Sequence, residues 1–529
     1  MATTQRVHSP IYTPFVGGAE ATLPGQVGTL DGKRLAVLEN GWPTWRRMLQ
    51  QFVGGLRERY PGLEVTEYAI PRGYAASEDL LAKIAAESDC AVVGLANCGS
   101  CTAWSLHDSV ELQKAGLPTV WVVSDEFVGL GTAIMKSRNS PVPSVTLPVN
   151  PEMVSEREAL ELMQDYGGSI LAELVDGSLP DMEAIPNDVG PRHIELPPDA
   201  DLAFDELYER GMTDGLPVVM PTEERVSRML EASGVDDPLE VVGQLPPRYG
   251  AATYENIAVS AVMAGCRPEY MPVLVAQVRA GVRPEFNLNG IATTTASSAP
   301  LTIVNGPIRE TIGLNSGRGL LGPGWQANAT IGRAFRLLMI NVGGAAPGSV
   351  SKSVMGTPGR YTFCIAENEE ASPWEPLHVS RGMSERSSAV TMMGILSTIN
   401  CTTVWGAHWR DHLATLGDAL AFLGSNNVLM GRGTVLVILT PGQATLFDRA
   451  GLSKADVAEG VWEAARIPID RFPATVRPQP PNVWIEDDGY VRVVKSPDNV
   501  LVLVAGGPEA HYAHVMPSHP SVVPVSEAI

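Results

Sequence analysis

Two of the six cysteines in this 529-residue chain, Cys98 and Cys101, lie three positions apart in the run Ala96-Asn97-Cys98-Gly99-Ser100-Cys101-Thr102. A Cys-x-x-Cys pair at the start of a helix is placed for thiol chemistry. The unpaired N–H groups of the first turn and the helix dipole favour an anion, so a thiol pKa can fall from roughly 8.5 toward ~7 or below. The pair admits three readings: a nucleophilic or thiol–disulfide site, half of a metal centre, or two small residues packing a strand–helix junction. No second Cys-x-x-Cys or Cys-x-x-His follows at ligand spacing. Cys90, Cys266, Cys364 and Cys401 are isolated and read as small buried hydrophobes.

The elements around the pair must place it. Residues 90–96 are short, apolar and rich in β-branched side chains, as in a strand buried on both faces. A helix is expected after them, with Ser100 or Thr102 as cap, Leu106 and Val110 at helical spacing, and a stop at Lys114-Ala115-Gly116. Across 33–170, strands at 34–39, 64–70, 90–96, 119–123 and 144–147 alternate with amphipathic helices, so a flavodoxin- or Rossmann-like parallel α/β sheet is predicted. The helix at 45–60 carries a core stripe of Trp45, Met48, Leu49, Phe52 and Leu56. With the flavodoxin-like order 2-1-3-4-5, the first and third strands flank the switch point, and ligands bind beyond their carboxyl ends. Asn40-Gly41-Trp42-Pro43 and the 97–102 loop meet there, which makes Asn40, Trp42, Asn97, Ser100, Thr102 and Trp104 candidate substrate contacts. Trp104 equally suits the sheet–helix interface. Beside Cys98 and Cys101, His107 is a candidate proton donor or thiol partner, although it falls about 120° round the helix from Cys101. Asp108 follows it, and Asp125 and Glu126 end the fourth strand, where they can enter the same crevice.

Asn97-Cys98-Gly99-Ser100-Cys101-Thr102, with Leu106-His107-Asp108 beyond it, resembles the UGSC family of (seleno)proteins, named for a selenocysteine-Gly-Ser-Cys motif at a strand end. The stretches Asp214-Gly215-Leu216-Pro217-Val218-Val219, 299–307 and 366–378 look like the long C-terminal region that accompanies the motif in that family. Here cysteine replaces selenocysteine at position 98, giving a poorer nucleophile and reductant. The resemblance implies redox-active or nucleophilic chalcogen chemistry and leaves the substrate open.

A formal charge of −21 argues against nucleic acid or an anionic membrane as partner. The N-terminus lacks a signal-like apolar run, and no stretch approaches the ~20 apolar residues of a membrane span. The expectation is a cytoplasmic homo-oligomer acting on a small molecule, in which the cysteine pair would cycle rather than staple. Three parts are expected: an α/β domain over 1–175, an acidic, proline-rich linker over 176–201, and a larger mixed α/β region over 202–529, as one unit or two subdomains. Helices are expected at 204–210, 222–232, 254–264 and 268–279, and strands at 301–304, 360–366, 434–440 and 500–505.

No cofactor is identified. An external thiol reductant is expected, and flavin and metal remain open without a supporting motif. Gly317-Arg318-Gly319-Leu320-Leu321-Gly322 has dinucleotide-loop spacing but no strand leading into it. Glu367, Glu369, Glu370, Glu375 and His378 offer a cation site, acid–base groups or a solvated loop, and His408 and His412 share helical i, i+4 spacing. The first functional expectation is a thiol-dependent oxidoreductase, with Cys98 attacking a small substrate and Cys101 resolving the adduct. The second is a redox-neutral isomerase or lyase resembling cofactor-independent racemases, which needs a second thiol from Cys266 or Cys401. A metal- or thiol-binding protein is the third.

Overall fold

The computed structural model describes residues 4–12, 27–70, 73–177, 191–403, 408–474 and 484–529. The first strand, β1 (Gln5–His8), stands apart from the sheet that follows it. That sheet is built from β2 (Arg34–Glu39), β3 (Glu64–Ala69), β4 (Cys90–Ala96), β5 (Thr119–Ser124) and β6 (Ser144–Leu147). Its order is β3-β2-β4-β5-β6, with every pair parallel, so β2 and β4 flank the switch point as expected. Strand alternation sorts the side chains to two faces. Leu35, Val37 and Val92 pack with α1 (Pro43–Arg59) and α5 (Glu156–Asp176), including Trp45, Met48, Phe52 and Met163. On the other face, Ala36, Leu38 and Val93 meet α2 (Glu78–Glu87) and the end of α3 (Gly99–Lys114). Val123 and Trp121 pack with α3 and α4 (Asp125–Arg138). The domain is therefore doubly wound.

Half of the expected linker, 178–190, lies outside the described residues. The part beyond it is more ordered than its proline and acid content suggests. β7 (His193–Leu196) pairs antiparallel with β1, and Ile194 and Leu196 are buried with Val7 against α6 (Ala200–Glu209). Two apolar side chains on one face of a strand suffice for docking when a partner strand and a helix are at hand, and composition alone misses them. The N-terminal strand thus packs with the second region rather than with the sheet that follows it.

That region continues through α7 (Glu223–Ser233), the hairpin β8 (Val241–Leu245) and β9 (Gly250–Thr253), and helices α8 (Tyr254–Ala264), α9 (Met271–Gly281) and α10 (Leu288–Thr293). Two mixed four-stranded sheets then face each other. In one, Ala299–Asn305 lies between Cys364–Ala366 and Ala389–Ile395; in the other, Val435–Leu439 lies between Tyr512–Met516 and Val500–Val504. Leu301, Ile303 and Met393 meet Leu436, Ile438 and Met516 between them. Helices α8, α9 and Gln326–Asn341 cover the first sheet, and Trp409–Leu420 with Lys454–Ala464 covers the second. The strand expected at 360–366 is confined to Cys364–Ala366, because a 3-10 turn takes Pro358–Arg360.

Candidate functional site at the head of helix α3

β4 is buried along its whole length and delivers Asn97 and Cys98 to the start of α3. The cap is Cys98 itself rather than Ser100 or Thr102. Its backbone is extended, and its sulfur accepts the Cys101 N–H at 3.2 Å. Ser100 Oγ stands 3.5 Å from the same sulfur, and Thr102 Oγ1 donates to the Cys98 carbonyl at 2.7 Å. A sulfur in the N-cap position takes the hydrogen bond that a serine oxygen normally accepts, at the end of the helix where an anion is favoured.

Cys98 and Cys101 are joined by a disulfide, with Cα atoms 5.1 Å apart. Cys98 is half-buried, whereas Cys101 is 3 % exposed. The Trp42 indole N–H donates to Cys101 Sγ at 3.3 Å. Asn40 braces the approach by bonding both ways to Leu95, Nδ2 to the carbonyl and Oδ1 from the N–H, each at 2.8 Å. Asn97 offers its carbonyl to Asn150 Nδ2 at 3.0 Å, while both polar atoms of its own buried side chain lack a hydrogen-bond partner among the described residues. The loops after β2 and β4 therefore converge on the sulfurs.

Beneath the pair is a cavity of ≈10 Å³, room for about one water. Asn40, Tyr74, Cys101, Trp104, Ser105 and Asp108 line it. The α3 residues recur at i, i+3, i+4 and i+7, one face of the helix. Asp108 is 2 % exposed, and its two carboxylate oxygens share the Ala76 N–H at 3.1 Å each. Burial pushes its pKa up to about 8, with the Ala76 N–H working against the shift. Sequence reasoning saw Asp108 only as the neighbour of His107; its seven-residue spacing from Cys101 was the available signal.

His107 is on a different face. Its ring lies 5.4 Å from that of Trp104, and it is absent from the cavity lining. Burial, reinforced by the Arg138 charge, pushes its pKa down to about 4. Trp104 is tied into the interface as well, since its indole N–H donates to Asn287 Oδ1 at 2.8 Å. Gly99 packs so closely on α10 that an added Cβ would lie 1.6 Å from the Thr293 carbonyl oxygen. The second region therefore walls one side of the site. Asp125 and Glu126 form the exposed first turn of α4 rather than entering the crevice, because α4 begins directly after β5.

The other candidates are scattered. Cys266 packs in the helical core around α8, where burial pushes its thiol up to about 12; Cys401 is in the core beneath Trp409–Leu420, where burial pushes it up to about 11. Neither lines the cavity. Gly317–Gly322 is an irregular loop without a preceding strand. Glu367 is fully buried rather than solvated, held by Asn305 Nδ2 at 2.6 Å, Leu377 N at 2.7 Å and Lys454 Nζ at 3.3 Å. Glu369 and Glu370 both pair with Arg309, at 3.1 and 2.7 Å. His378 is buried with its Nδ1 4.0 Å from Glu369, and Glu375 lines the open cleft beside them. His408 caps the helix Trp409–Leu420 at the surface, while His412 is buried with Nδ1 3.3 Å from Gln443. The two do not form a ligand pair.

A doubly wound parallel sheet with a Cys-x-x-Cys pair capping the helix at its switch point places this part of the chain among the α/β proteins. Residues 7–175 match the model of the UGSC family, so the N-terminal part of the chain is similar to that family. The matched segment ends before the stretches at 214–219, 299–307 and 366–378. No curated protein matches the chain. No helix among the described residues is long and apolar enough to cross a membrane.

Proposed function

We propose that the protein is a thiol-dependent oxidoreductase acting on a small molecule, with Cys98 as nucleophile and Cys101 as resolving thiol. The observation that carries this reading is the bonded Cys98–Cys101 pair at the N-terminus of α3, one sulfur half-exposed and the other buried against a cavity. In the reduced protein the Cys98 thiolate attacks a polar, reducible X–Y bond of the substrate. An S–X bond forms and Y leaves with the electron pair and takes up a proton. The Cys101 thiolate then attacks the Cys98 sulfur, the disulfide forms, and X leaves with its electron pair and a proton. An external dithiol restores both cysteines and becomes a disulfide itself, supplying two electrons and two protons.

Asp108 suits the proton step. A carboxyl with its pKa near 8 is mostly protonated at neutral pH, and the cavity leaves room for a water between it and Cys101. The unpaired Asn97 amide, next in the chain to Cys98, suits a polar group of the substrate. Trp42 and the α3 N-terminus stabilise the two thiolates.

The test is the rate of iodoacetamide labelling at Cys98 and Cys101 across pH on reduced protein, followed by mild oxidation. The expected result is a Cys98 midpoint well below the roughly 8.5 of a free thiol, slower labelling at Cys101, and reversible loss of both thiols on oxidation. Cys98→Ser then abolishes reduction of a screening disulfide, and Cys101→Ser accumulates a Cys98 adduct. Slow, pH-insensitive labelling of Cys98 with no reversible oxidation sinks the proposal.

A further inference from the structure

A second constellation lies away from the cysteines, where the N-terminal strand docks. β1 and β7 run antiparallel with His8 directly opposite His193, so the two imidazoles share one face of the ribbon, their ring centres 4.6 Å apart. The His8 backbone N–H donates to the Pro221 carbonyl at 2.9 Å, which fixes β1 against the turn that opens α7. Glu223, the first residue of α7, is thereby brought over the pair. Its Oε2 lies 3.1 Å from His8 Nε2 and 3.3 Å from His193 Nε2. One ligand atom from each of the three residues falls within 4.8 Å of the others.

These separations fit a metal as well as they fit hydrogen bonds. Ligands 2.0–2.1 Å from a tetrahedral ion are separated by about 3.3 Å. The other nitrogen of His8 has a carboxylate partner of its own. Nδ1 faces Glu255 Oε1 at 3.5 Å, and Glu255 is 3 % exposed and gripped by Arg192, whose Nε lies 2.9 and 3.0 Å from its two oxygens. An imidazole with a carboxylate at each nitrogen needs either a second proton or a metal ion on one side. A buried carboxylate on Nδ1 with a ligand-rich opening at Nε2 is the arrangement that orients metal-binding histidines. His8 is 4 % exposed and Glu223 74 %, so the site is anchored on its inner side and open to water on its outer side.

We propose that His8, His193 and Glu223 form a binding site for a borderline divalent transition-metal ion of the zinc class, with Glu255 orienting His8 and the fourth position open to solvent. Two imidazoles and one carboxylate are the donor set such ions take, whereas magnesium and calcium favour oxygen ligands alone. Arg6, which is exposed, donates to His193 Nδ1 at 2.9 Å; a metal on Nε2 puts the proton on Nδ1, so binding requires this surface hydrogen bond to break. The ion would join β1, β7 and α7, clamping the start of the chain to the second region.

Zinc titration calorimetry tests this on full-length protein stripped with EDTA and kept oxidised, so that the Cys98–Cys101 disulfide removes both thiols as competing ligands. The expected result is one equivalent of zinc bound, with zinc raising the melting temperature and cobalt giving the visible absorption of a four- or five-coordinate site. His193→Ala and the surface change Glu223→Gln should weaken binding by more than the roughly 10–100-fold that loss of an outer partner costs, and Glu255→Gln by an amount inside that range. Circular dichroism confirms that each variant is folded; Glu223→Gln, at an exposed position, keeps the test available if His193→Ala unfolds. No stoichiometric binding, or binding unchanged in Glu223→Gln, overturns the proposal. Neither outcome bears on the thiol chemistry, which is read with the cysteines reduced.

Discussion

At the scale of single residues, Asp108 and Trp42 set the electrostatics around the sulfurs. Asp108 has a folded pKa raised to about 8 by burial, above the ordinary carboxyl value near 3.9 of an unfolded chain. The native state therefore holds a proton that the unfolded state releases between those values, and stability falls as pH rises from about 4 to about 8. Asp108→Asn removes this dependence while keeping an acceptor for the Ala76 N–H. Thermal melts from pH 4 to 9 should show the variant gaining on the wild type steadily up to about pH 8 and no further; a pH-independent difference would show that Asp108 is ionised in the native protein. Trp42→Phe removes the indole donor to Cys101 Sγ. A hydrogen bond to a thiolate lowers its pKa, so the Cys101 labelling midpoint in the reduced variant should rise by about one unit; an unchanged midpoint would exclude that role. The cysteine pair was legible from type and spacing alone. Asp108 was overlooked because a carboxylate beside a histidine draws attention to the histidine, although its seven-residue spacing from Cys101 puts it, and not His107, on the helix face that lines the cavity.

At the scale of elements, the parallel sheet was legible because period and composition agreed. Strands buried on both faces read as apolar runs, and α1 announced itself by its stripe. Strands with other compositions were missed. Ala389–Ile395 carries two methionines and Tyr512–Met516 a histidine, and their strand form comes from pairing with neighbours far along the chain. Close approach between elements was also invisible in sequence. Gly99 and Gly55 both occupy helices, but Gly55 has nothing within 4 Å of an added Cβ, whereas Gly99 would meet the Thr293 carbonyl oxygen at 1.6 Å. Gly55→Ala should stabilise by roughly 0.5–1 kcal/mol through the lost chain entropy of glycine. Gly99→Ala must push α3 off α10 and should cost about 1–3 kcal/mol or more. Urea unfolding midpoints of the two variants should move in opposite directions; a neutral Gly99→Ala would mean that the α3–α10 contact is looser than the structure has it.

At the scale of the whole molecule, the cysteine site depends on a junction between parts distant in sequence, and Asn287 holds it. Its φ of 53° is left-handed, a conformation asparagine tolerates better than most residues. Its Oδ1 accepts the Trp104 indole N–H at 2.8 Å and the Gly290 N–H at 3.0 Å; its Nδ2 donates to the Gly73 carbonyl at 3.1 Å and to Ser521 Oγ at 2.6 Å. One amide thus joins α3, the loop before α2, α10 and the segment before the last strand. Sequence could not indicate this, since no local pattern marks a residue whose partners lie 183 and 234 positions away. Asn287→Ala leaves several buried groups unpaired and strains the backbone, so it should lose about 2–4 kcal/mol. Asn287→Gly keeps the left-handed turn without strain and separates the two causes. If the amide network governs the junction, the glycine variant retains most of the loss, and hydrogen exchange at the Cys101 and Thr102 amides accelerates in both variants. If glycine restores wild-type stability and exchange, the residue serves only its own turn. The two regions would then be joined mainly by the packing of Gly99 on Thr293, and the head of α3 would keep its geometry without the amide.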